Sequence, residues 1–135
     1  MKSRFRSYYS PDEATALIPK ISRWIEELRL LRQSLDRQAE RILELIYDHG
    51  DQGGPRVNDQ TRGLVRWHEL MREFSRRDLQ IRDLETGKVD FPARRGDHEI
   101  FLIWQEGDTK VDAWREIPTS HGPGPQPTYP GSFPS

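Results

Sequence analysis

The sequence predicts an α+β fold, predominantly α: a long antiparallel helical hairpin, then a small three-stranded antiparallel β-meander and an irregular Pro-rich C-terminal tail. Three observations carry this expectation. Apolar residues recur at helical spacing through two long stretches, separated by a Gly/Pro-rich break. The run Ile100-Phe101-Leu102-Ile103-Trp104 is apolar without interruption, while the segments beside it alternate, as expected of a central strand between half-buried neighbours. From residue 118 onward the chain carries six of its ten prolines, a composition that builds no core.

Ser10-Pro11-Asp12-Glu13 reads as a helix start. Ser10 caps, Pro11 suits the first helical position, and Glu13 closes a capping box. The first helix is expected over about 11–47. Pro19, which lacks an N–H, should kink it or divide off a short first segment. Ile21, Leu28, Leu35 and Ile42 repeat every seven residues, with Trp24, Leu31, Gln38 and Leu45 between them, as in a coiled-coil seam. Residues 48–59 hold three glycines and a proline and read as a loop. Asn58 or Asp59 can cap a second helix over about 59–86, its seam formed by Leu64, Trp67, Met71, Phe74 and Ile81 with Asp78 intruding. Gly87 is placed to end that helix as a left-handed cap. Strands follow at about 89–92, 99–105 and 110–116, with Pro92 expected near a strand end. Residues 1–117 thus form one domain and 118–135 the tail.

Composition narrows the function classes. With 33% hydrophobic and 32% charged residues in a 135-residue chain, apolar side chains must be placed economically. A net charge of −1 gives no global pull toward nucleic acid or membrane. The absence of cysteine removes disulfides, thiolate metal sites and cysteine nucleophiles. No apolar run reaches the roughly 20 residues that span a bilayer, and the N-terminus lacks the apolar stretch of a signal peptide, so no membrane insertion and a cytoplasmic location are expected. No catalytic residue is assigned, because neither a nucleophile elbow nor a phosphate-binding glycine loop occurs.

"YSPDEATALIPKI", "LQIRDLETGKVDFPARRGDHEIFLIWQEGD" and "VDAWREI" together resemble an uncharacterised prokaryotic family, domain of unknown function 2203, over roughly residues 5–117. The resemblance implies a helical hairpin leading into a small β element and supplies no activity or cofactor. Relatives often place a His after the second Trp, where this chain has Arg115.

The strongest functional expectation concerns coverage. A central strand apolar on both faces needs a second covering surface, supplied by a second copy, the tail or another protein. The main expectation is therefore a non-enzymatic interaction or accessory subunit, a homo-oligomer or one bound to a protein partner, with Phe101, Ile103, Tyr129 and Phe133 at the interface. The alternative is an enzyme binding a metal or small ligand where helices meet sheet. It would use Asp90, Arg94, Trp104 and Trp114 for the ligand and Asp97, His98 and Glu99 for a divalent metal, although solvated turn residues are the simpler reading of these last three. No other cofactor is expected. Asp90, between Val89 and Phe91, is either a structural acceptor at a corner or a tuned carboxylate. Nucleic-acid binding through arginines and aromatics is third, weakened by acids interleaved throughout.

Overall fold

The computed structural model describes residues 5–49 and 55–117, with the side chains of residues 42 and 45–60 excepted. Two helices precede a four-stranded sheet: α1 Pro11–His49, α2 Pro55–Arg76, β1 Gln80–Asp83, β2 Lys88–Arg95, β3 His98–Gln105 and β4 Ala113–Glu116. The strands lie in sequence order, each antiparallel to the next. The meander therefore has four strands rather than the three expected. The tail, with Tyr129 and Phe133, lies outside the described residues.

The helix start forms as the sequence predicts. Ser10 Oγ accepts from the Glu13 amide at 3.1 Å, and Glu13 Oε1 accepts from the Ser10 amide at 2.9 Å, a reciprocal capping box. α1 then runs through Pro19 without dividing. Proline costs one backbone bond, and the flanking Ala14, Ile21 and Ile25, all fully buried, hold the segment against the sheet. Each such isoleucine contributes about 1.5–3 kcal/mol by leaving water.

α2 departs from expectation at both ends. It begins at Pro55, a residue suited to the first helical turn, so Asn58 and Asp59 fall inside the helix. It ends at Arg76, where the Leu79 amide donates to the Phe74 carbonyl and the Asp78 amide to the Ser75 carbonyl. This is a Schellman termination with Asp78 in the left-handed position, φ 58°, and with Leu79 and Phe74 in the same core. Asp78 is thus the cap rather than a flaw in the seam. The residues after it form strand β1, which the helical reading absorbed.

The apolar stripe of α2 is also turned from the expected one. Leu70 is 1% exposed whereas Leu64 and Met71 are 45% and 37% exposed. Gly63, Trp67, Leu70 and Phe74 form the face toward α1, and a Cβ on Gly63 would stand 3.0 Å from Leu35 Cδ2. Trp24 meets Phe74 edge-on at 5.6 Å. Arg66 clamps the helices through a two-pronged bond to Glu27 at 2.5 and 2.9 Å.

The inner sheet face is built from Val89, Phe91, Ala93, Ile100, Leu102, Trp104 and Trp114, which share one core with Ile21, Ile25 and Leu28 of α1. β2 runs through Pro92 to Arg95 instead of ending there. β1 pairs only as far as Asp90, and the Pro92 carbonyl accepts from the Tyr9 amide at 2.8 Å. The N–H that proline lacks would lie on that same side, so the β2–β3 ladder loses nothing. β4 starts at Ala113, later than expected, because the Val111 amide donates instead to Thr15 Oγ1 on α1.

Gly87 serves the turn between β1 and β2. Its φ is +72°, and a Cβ there would stand 2.6 Å from Glu106 Cβ. Gly87→Ala is expected to cost about 1–3 kcal/mol from backbone strain alone, and more from the collision. Chemical denaturation should show this, with Gly96→Ala, which meets nothing within 4 Å although φ is also positive, as the milder control.

Candidate functional site

The outer face of the sheet carries the residues that alternate with the core: Gln80 and Arg82, Lys88 and Asp90, Phe101 and Ile103, Ala113 and Arg115. Asp90 is fully buried and Arg115 is 4% exposed. Arg115 is opposite Phe101 in register, and its guanidinium passes 4.8 Å from the Phe101 ring centre on the way to Asp90. Arg115 Nη2 donates to Asp90 Oδ2 at 2.5 Å, so the side chain is a strut spanning β4 to β2 across the central strand. Arg82 Nε stands 3.4 Å from the same oxygen.

The N-terminal segment lies beside this strut. Phe5 packs on Phe101 with ring centres 5.8 Å apart. Asp78 Oδ2 accepts from the amides of Arg6 and Ser7 at 2.7 and 2.9 Å. Tyr9 donates its hydroxyl to the Arg77 carbonyl at 2.8 Å and meets Phe91 on the inner face. Tyr8 bonds Glu99 through its hydroxyl, and Arg94 stacks 4.3 Å from its ring centre. Residues 5–9 therefore cover part of the strand face whose cover was sought elsewhere.

Burial pushes the Asp90 carboxyl above its ordinary value, against the opposing pull of Arg115 and Arg82. The pair is also incompletely satisfied: Asp90 Oδ1 and Arg115 Nε and Nη1 are sealed from solvent without a hydrogen-bond partner. Native interiors keep few such groups, so three in one ion pair mark a place to look for function.

The other expected ligand residues do not converge here. Arg94 shares the outer face with Asp90, four positions along β2 and so roughly 13 Å away. Trp104 and Trp114 lie on the inner face, where Trp104 Nε1 donates to the Asp108 carbonyl at 3.2 Å and Arg95 stacks over Trp114. Asp97, His98 and Glu99 border a recess of about 310 Å³ at the β2–β3 turn, together with Arg95, Trp114 and Glu116. Among the described residues, no three His, Cys, Asp or Glu side chains form a group able to hold a metal ion. No helix among them is long and apolar enough to cross a membrane.

The family comparison covers both the hairpin and the sheet. The family described as uncharacterized conserved protein (DUF2203) matches residues 7–121. The chain belongs to that family. No curated protein and no solved structure matches it. In this DUF2203 member, sequence reasoning missed Arg115, Arg82 and Phe5. The alternation of β4 was the signal that could have put Arg115 on the outer face with Asp90, although not the register that pairs them.

Arg115→Met should cost about 3–5 kcal/mol by leaving a buried carboxylate without its counter-charge. Adding Asp90→Leu should recover most of that, which a double-mutant denaturation cycle would measure. The loss in Arg115→Met should shrink as pH falls. A carboxyl raised by burial binds its proton more readily in the folded state, so stability is regained as pH drops through the folded pKa.

Proposed function

We propose that this chain is a non-enzymatic interaction or accessory subunit of a larger assembly, and that the distal half of the helical hairpin is its contact surface. One observation carries the reading. Ile21, Ile25 and Leu28 are fully buried beneath the sheet, while Leu43, on the same side of the same helix, is 53% exposed. Leu43 follows Ile25 by 18 residues, five turns at 3.6 residues per turn, so the core-facing stripe continues where the sheet has ended. Among the described residues, the last bonds from α1 to the sheet turns come from Arg29, to the Leu84 carbonyl and Glu106, and from Arg32 to Glu85. Leu43 is roughly 20 Å beyond Arg29.

α2 supplies a matching surface. Leu64 and Trp67 join Leu35, Arg32 and Asp36 around a groove of about 200 Å³ between the helices. Two helices give only half of a four-helix layer, and a second hairpin laid antiparallel would complete it. A second copy of this chain is the simplest occupant. Phe101 is covered by Phe5 and Arg115 within the chain, which favours the hairpin over the outer sheet face as the main contact.

At tens of micromolar the full chain is expected to sediment above monomer mass. Leu43→Asp and Leu64→Asp should each shift it toward monomer without altering helix content, since both side chains are exposed. A strict monomer that also retains no stoichiometric protein on native affinity capture would contradict the proposal.

A further inference from the structure

The structure assigns a second feature that assembly does not explain: we propose that the outer sheet face binds a small oxyanion, phosphoryl or carboxylate, at Arg115, Arg82 and Lys88. The inference is independent of the hairpin contact. It starts from the mismatch of donors and acceptors around Asp90. Arg115 Nε and Nη1 together carry three N–H groups with no acceptor, in a side chain only 4% exposed. Among the described residues the carboxylate that Arg115 meets is Asp90, whose Oδ2 is engaged by Arg115 and approached by Arg82 and whose Oδ1 is a single open acceptor against three open N–H groups.

Charge points the same way. Lys88 precedes Asp90 by two residues on β2 and so projects from the same face, where it is exposed. Arg115 and Arg82 both act on Asp90, and Lys88 stands beside its register partner Asp83, so three cations face two acids. A further acid of this face, Glu99, stands at the opposite end of the strands and is bonded to Tyr8. Excess donors and excess positive charge select an anion with several acceptor oxygens, the geometry guanidinium groups bind in two-pronged fashion.

Arg82 marks the side from which the pair is approached. The Arg82 side chain is 42% exposed although its Nε is 3.4 Å from Asp90 Oδ2, so it joins the pair to solvent. Ile103 and Ala113, half-buried, border the same approach. The anion would enter beside Arg82 and Lys88, and a shift of the exposed Arg82 side chain would open the way to Arg115.

The test titrates the full chain with inorganic phosphate, and separately with acetate, at constant ionic strength held by chloride. Binding is read by calorimetry and by the thermal midpoint. A saturable response to phosphate, to acetate, or to both supports the site and identifies which oxyanion it takes. Arg82→Gln and Lys88→Gln, both at solvent-exposed positions, should each weaken that response at least tenfold, while Lys110→Gln, paired with Asp112 in the loop before β4, should leave it unchanged. No saturable response to either anion overturns the proposal. Equal affinity in Arg82→Gln and Lys88→Gln overturns it as well, since binding would then lie elsewhere.

Discussion

The rest of the structure answers to one strand that cannot tolerate water on either side. β3 presents Ile100, Leu102 and Trp104 inward and Phe101 and Ile103 outward. The inward set is met by α1 and α2, which is the ordinary arrangement of helices on one sheet face. Of the outward set, Phe101 is met by an uncommon device, an arginine from the neighbouring strand laid across its ring and tied to a buried aspartate, while Ile103 stays half-buried. The guanidinium is flat and weakly hydrated, so it can cover an aromatic ring and still satisfy a charge. Phe5 completes the cover from the N-terminal side.

This arrangement links the two ends of the domain. The segment carrying Phe5 is held by Asp78 at the end of α2 and by the Pro92 carbonyl on β2. The residue that stops the second helix therefore also anchors the cover of the sheet. A buried ion pair is seldom chosen for stability alone, because taking both charges out of water costs much of what their attraction returns. Its unsatisfied donors make it the most chemically distinctive place among the described residues, while the hairpin beyond Arg32 is the most conspicuous unused apolar surface.

Much of this was legible in the sequence. Ser10 and Glu13 define a local motif whose geometry depends on four residues alone. Ile100 to Trp104 is hydrophobic beyond what any half-exposed element allows. Other features were hidden because two signals compete at the same residues. Ile81 continues a helical seam from Phe74, yet it also alternates with Leu79, and the period of two prevails because Asp78 adopts the left-handed conformation usually given to glycine. Leu64 and Met71 look equivalent to Leu70 in a stripe of helical spacing, and only the close approach permitted by Gly63 fixes which of them faces α1. The pairing of Asp90 with Arg115 joins residues 25 positions apart through the register of three strands, information that no local pattern holds.

That β3 is covered within one chain is the central claim, and hydrogen exchange measured as a function of concentration tests it directly. The amides of residues 100–104 should be among the slowest to exchange, and their protection should not change as the protein is diluted through the range in which the proposed assembly would dissociate. Protection in the distal part of α1, beyond Arg32, should fall over the same range. Loss of β3 protection on dilution would contradict the account, because the cover of the central strand would then come from another molecule.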